Sequence, residues 1–122
     1  MSLINDLQQI NHEISLREAI VMTTRFRTEI QSMLKPEYTG IDILPKSETF
    51  KKSIFVELVR RAECAAIRSY LGMDENKHVR LIFVGVDDNN NDILASGYGH
   101  SGYIFEYGQR CPPICGISPL NP

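Results

Sequence analysis

Val79-Arg80-Leu81-Ile82-Phe83-Val84-Gly85-Val86 is the stretch on which the fold turns. It is rich in β-branched and aromatic residues, the composition of a strand placed centrally in a sheet. Working back from it, Gly72 to Lys77 carries turn residues. Before that turn, Ala65 to Leu71 alternates as a half-buried strand, with Ile67, Ser69 and Leu71 on one face and Arg68 and Tyr70 on the other. Working forward, Asp87-Asp88-Asn89-Asn90-Asn91-Asp92 makes a second turn. Ile93 to Tyr98 and Gly102 to Tyr107 read as weaker strands, the latter alternating Tyr103, Phe105 and Tyr107 against Ile104 and Glu106.

Upstream of Cys64 the apolar period changes from 2 to 3.6. Leu16 to Leu34 reads as a helix with a buried stripe of Leu16, Ala19, Ile20, Phe26, Ile30, Met33 and Leu34. Arg17, Arg25, Arg27, Glu29 and Gln31 fall mostly off that stripe, toward solvent. Ser15 and Glu18 supply a capping box, and Pro36 stops the helix. Residues 36 to 49 form a connection around Ile41, Ile43 and Leu44. A second helix is expected from Ser47 to Arg61, capped by Ser47 or Thr49. Phe50, Ile54, Phe55, Leu58 and Val59 would be its core positions, and Glu57 and Arg61 a surface pair.

The expected fold is therefore α+β: two N-terminal helices packed on an antiparallel β-meander of three to four strands, in a single domain spanning 1–122. Residues 1–14 would be an N-terminal arm or short helix, and 108–122 an extended, Pro-rich C-terminal tail.

With 43% hydrophobic and 23% charged residues, the composition is that of a globular chain able to form a core. Thirteen basic against fifteen acidic side chains give a net charge of −2, without the basic excess or stripe of a nucleic-acid binder. No apolar run reaches the ~20 residues needed to span a bilayer, and Met1 to Gln9 lacks a secretory pattern. The expectation is a cytoplasmic protein with no membrane or nucleic-acid partner. Three cysteines, an odd number, do not make a secreted disulfide framework.

Several stretches together resemble a family of small bacterial proteins, mainly from Bacteroidetes, that end in Cys-Pro-Pro-x-Cys. They are Ser47-Glu48-Thr49-Phe50, Arg68-x-Tyr70-x-Gly72, Val84-Gly85-Val86-Asp87, Asn91-Asp92-Ile93 and, most specific, Gly108-Gln109-Arg110-Cys111-Pro112-Pro113-Ile114-Cys115. The chain departs from the family pattern at Asn90, in place of glycine, and in a longer Gly-rich stretch before Tyr103. The resemblance implies an intracellular stand-alone domain and carries over no catalytic residue.

Cys111 and Cys115, with Pro112 and Pro113 between them, form the one feature that folding alone does not require. The prolines fix φ and remove two donors, which stiffens the segment. Three intervening residues are one too many for a thioredoxin-type dithiol, while zinc sites accept two to four. The simplest reading packs the tail along the domain with both sulfurs as small hydrophobes. The alternatives are a disulfide or redox pair, and a metal half-site completed by His100, Cys64, His12, His78 or a second subunit.

Asp87-x-Asn89-x-Asn91 has the start of a calcium loop but holds Asp92 and Tyr98 where glycine and a bidentate Glu belong, so it reads as a turn. Gly97-Tyr98-Gly99-His100-Ser101-Gly102 fits Gly-x-Gly-x-x-Gly but leads into a strand. A dinucleotide loop must open a helix, so this one reads as a hairpin loop with His100 and Ser101 at its tip. No cofactor is implied. The sequence predicts a small non-enzymatic binding or interaction protein, homodimeric through exposed tyrosines and a sheet edge that needs cover. The alternative is a thiol-dependent redox or metal-binding protein using Cys111 and Cys115. The sequence identifies no small-molecule ligand.

Overall fold

The computed structural model describes residues 5–95 and 102–122, which form helices and antiparallel strands. In chain order these are α1 (Asn5–Gln8), α2 (Leu16–Met33), a 3-10 turn (Pro36–Tyr38), β1 (Ser47–Thr49), α3 (Lys52–Val59), β2 (Ala66–Met73), β3 (Val79–Val86), β4 (Asp92–Ile93), β5 (Ile104–Phe105) and β6 (Gln109–Cys111). They belong to two units. One gathers Met1–Asn11, Phe50–Gly72 and Arg80–Gly108; the other gathers His12–Thr49, Met73–Val79 and Gln109–Pro122.

The first unit is organised around β3, whose Val84, Gly85 and Val86 are buried. β2 pairs with one edge of β3, and β4 and β5 pair antiparallel with the strand as well. The sequence predicts that the last two strands make a hairpin with each other. Instead Ile93 lies opposite Gly85, and Ile104 lies opposite Val84. β5 thus resumes the line that β4 leaves, and residues 94–103 are inserted between adjacent ladder positions. A reading of local alternation sees only sequence neighbours. It misses that the backbone groups of an apolar strand's edge attract any segment able to pair with them.

Three phenylalanines fill the space beside this strand. Phe83 meets Phe50 edge-on at 4.9 Å between centroids and Phe55 at 5.1 Å, both within the range of favourable aromatic pairs. Leu58 from α3 is buried with Val84 and Val86. Gly85 has a packing reason: a Cβ there would stand 3.2 Å from the Cys64 sulfur. Cys64 is a free thiol, and it donates to the Ala66 carbonyl at 3.3 Å.

α3 is shorter than the sequence predicts and starts at Lys52, with no side-chain cap at Lys51. Ser47 and Thr49, the expected caps, belong to β1 and pair with Cys111 and Gln109. A partner some sixty residues away has overridden local helix propensity. Phe50 stays in the core, but from the turn before the helix rather than from its face. The expected Glu57–Arg61 pair is also re-formed: Glu57 bonds Arg60 at 2.6 Å, while Arg61 donates to the Glu57 carbonyl at 3.0 Å.

The Asp87–Asp92 turn follows the mechanism read from its residues. Asp87 Oδ1 accepts from the N–H groups of Asn89 and Asn91 at 2.9 and 3.0 Å. Asn90 takes a left-handed φ of 67°, a conformation asparagine tolerates better than most residues.

In the second unit the capping box forms: Ser15 Oγ accepts from Glu18 N–H at 3.1 Å, and Glu18 Oε1 accepts from Ser15 N–H at 3.2 Å. The unit is tied together by Arg110. Its guanidinium donates to the carbonyls of Val79, Asp42 (2.6 Å) and Ile43 (3.3 Å) and to Glu48 Oε1 (3.4 Å). The ion pair is nearly dry, with side-chain exposures of 9% for Arg110 and 1% for Glu48. Val79 N–H also donates to the Ile43 carbonyl at 2.7 Å.

Two outcomes are expected from urea unfolding. Phe83→Ala should cost about 3–5 kcal/mol, the range for emptying an aromatic site in a core, and Phe83→Leu clearly less. Arg110→Met should cost about 3–5 kcal/mol, because it takes the cation away from a buried carboxylate, and adding Glu48→Gln should recover part of the loss.

Candidate functional site

α2 is where pattern and packing part company. The sequence predicts a buried stripe, yet no side chain of α2 is buried. Ile20, Phe26 and Ile30 are half-buried, while Leu16, Met22 and Met33 are 60%, 58% and 75% exposed. An amphipathic period specifies that a face is apolar and leaves open what covers it. Met22, Phe26, Ile30 and Met33 line an open groove of about 310 Å³, flanked by Arg25 and Glu29. Every one of these residues comes from α2. A second groove of about 240 Å³ lies alongside, between Met22 and Phe26 of α2, Pro45, and Leu120 of the tail.

The tail folds back where the sequence predicts an extended run. The Cys111–Pro112 and Pro112–Pro113 bonds are both cis. Ile114 N–H donates to the Arg110 carbonyl at 3.1 Å. Cys111 and Cys115 are joined by a disulfide, their Cα atoms 4.9 Å apart. Cys111 is 2% exposed, in keeping with a packed sulfur, whereas Cys115 is exposed. β1 fixes the backbone of Cys111, which lies opposite Ser47 and accepts the Lys46 N–H at 2.8 Å.

Beyond the disulfide the chain returns to the same sulfur. The Ser118 hydroxyl and carbonyl accept the N–H groups of Leu120 and Asn121. Asn121 Nδ2 then donates to Cys111 Sγ at 3.1 Å. Arg27, which the sequence reading turns toward solvent, donates to the Leu120 carbonyl at 2.5 Å. Leu120 and Asn121 carry no motif in the sequence, and only the closed loop places them.

Of the residues considered for a metal half-site, His100 lies outside the described residues, as do Ser101 and the glycine-rich stretch before it. Bonded to each other, Cys111 and Cys115 offer no thiolate to a metal. His12 is exposed, and His78 Nδ1 stands 3.5 Å from Asp74 Oδ2. Among the described residues no three His, Cys, Asp or Glu side chains are grouped to hold a metal ion.

The first unit has two polar clusters. Asp92 accepts from Arg68 at 2.6 Å and from the Tyr70 hydroxyl at 2.5 Å, while Arg68 also reaches Asn90 Oδ1 at 2.6 Å. Bonding to Tyr70 and to Asp92 raises the Arg68 pKa further above its ordinary value. In the other cluster the Arg61 guanidinium lies over the Tyr103 ring, 3.8 Å from its centroid. A hydrogen bond from Arg60 holds the Glu57 carboxyl below the usual carboxylate range, against a smaller opposing effect of burial. Both clusters are partnered sets of surface and half-buried groups. The expected tyrosine face is not continuous: Tyr103 stacks under Arg61, Tyr107 is 89% exposed at a left-handed φ of 67°, and Tyr98 lies outside the described residues.

No helix among the described residues is long and apolar enough to cross a membrane. Comparison of the chain with protein-family models, with curated proteins and with solved structures finds no match in any of the three, so the reading of the site rests on its own geometry.

Proposed function

We propose that the protein is a small non-enzymatic binding protein that pairs with itself through the apolar face of α2. The observation that carries the reading is that face: Met22, Phe26, Ile30 and Met33 form a row along an 18-residue helix with no buried side chain. Exposed contiguous apolar rows on a folded chain mark contact surfaces.

The flanking charges favour a second copy as the occupant. Arg25 and Glu29 stand one turn apart on the rim of the same groove, and among the described residues neither side chain has an ion-pair partner. A two-fold axis crossing α2 near Arg27 runs the two helices antiparallel and sets Arg25 of each copy against Glu29 of the other. Such a surface is complementary to itself, which is what an isologous contact requires. The exposed methionines suit it as well, since their unbranched side chains adapt to an opposing surface. This replaces the tyrosine-lined sheet edge of the sequence reading with a helix face, while the expected partner, a second copy, stays the same.

Sedimentation equilibrium should give twice the 13.9 kDa chain mass. Met33→Glu and Ile30→Glu should each shift the protein to monomer with unchanged circular dichroism. Arg25→Glu should weaken pairing, and Arg25→Glu combined with Glu29→Arg should restore it. A strict monomer at high concentration would overturn the reading. A dimer indifferent to α2 substitutions would keep self-association but remove this surface.

A further inference from the structure

We propose that the Cys111–Cys115 disulfide is a thiol-exchange site that accepts electrons from a dithiol, with Cys115 as the sulfur attacked and Cys111 as the leaving group. The two sulfurs are inequivalent in exposure and in hydrogen bonding. Cys115 is exposed, and a Cβ built on the neighbouring Gly116 would meet no atom, so the chain beside Cys115 is open to an incoming thiolate. Cys111 is 2% exposed and held in the β1–β6 ladder, so its sulfur stays in place when the bond breaks. Asn121 Nδ2 already donates to Cys111 Sγ at 3.1 Å, on the sulfur where negative charge develops in the first step.

Exchange is fastest when the departing thiolate is stabilised, and an amide N–H aimed at it does this in a site from which water is largely excluded.

The step balances as follows. A thiolate of the dithiol attacks Cys115 Sγ, a mixed disulfide forms, and Cys111 leaves as thiolate, hydrogen-bonded by Asn121. The second thiolate of the dithiol then attacks the dithiol sulfur bonded to Cys115, which forms the dithiol's own disulfide and releases the Cys115 thiolate. The dithiol has lost two electrons and become a disulfide. The protein has gained them, and the two protons shed by the dithiol end on Cys111 and Cys115. With the ring open, the segment from Cys111 to Cys115 loses its covalent closure.

The test uses the full chain and needs no variant to begin. The oxidised protein should titrate one thiol, Cys64, and the protein treated with dithiothreitol three. Reduced glutathione followed by an acid quench should yield a mixed disulfide that peptide mapping places on Cys115. Asn121→Ala should slow the reaction about tenfold, the loss expected for a hydrogen bond to a charged group, and Asn121→Gln should recover part of the rate, with circular dichroism unchanged in both. An adduct on Cys111 would overturn the assignment. So would a disulfide inert to glutathione, three titratable thiols in air-equilibrated protein, or an unchanged rate in Asn121→Ala. Sedimentation of the reduced and oxidised forms reports separately on pairing through α2, so failure of either reading leaves the other standing.

Discussion

A single guanidinium joins four separate polar groups of the second unit. Residues 41 to 46 run without regular structure, and the carbonyls of Asp42 and Ile43 need donors there. Arg110 supplies them, reaches the Val79 carbonyl, and neutralises Glu48, whose carboxylate is almost wholly removed from water. A planar fork with five donors does this from one position; an ammonium on a flexible stem does not. Because Arg110 lies in β6, its anchoring also sets the register in which Cys111 meets Ser47. The disulfide, the return of Asn121 to the Cys111 sulfur and the seat of Leu120 all follow from where that strand is held.

The local chemistry of the chain was legible from residues alone. Ser15 and Glu18 specify the start of α2, Val79–Val86 specifies the central strand, and Asp87 specifies its turn, because each signal lies within a few consecutive residues. Long-range pairing was not legible. Ser47 and Thr49 are good helix caps in isolation, and nothing nearby announces that Gln109–Cys111 will claim them as a strand. Likewise the alternation of Gly102–Tyr107 describes a strand correctly in kind and leaves its partner unspecified. Residues far apart in the chain meet: Glu48 with Arg110, and Arg68 and Tyr70 with Asp92.

The candidate site shows the same division. Cys111 and Cys115 stand out in any reading of the sequence, but the contrast in their exposure comes from the fold. Asn121 is an ordinary asparagine until the tail turns back on its own sulfur. The apolar period of α2 was visible from the start. Only coordinates reveal that the stripe is open, because hydrophobic spacing is identical whether a face meets its own core or another molecule.

The ten residues between Ile93 and Ile104 enter and leave the sheet at neighbouring rungs of β3. The sheet therefore registers only that the two ends meet, and is blind to how much chain lies between them. Two adjacent rungs of one strand are thus filled by residues eleven apart in sequence, so this edge of the sheet is closed by a long-range pairing and not by a tight turn.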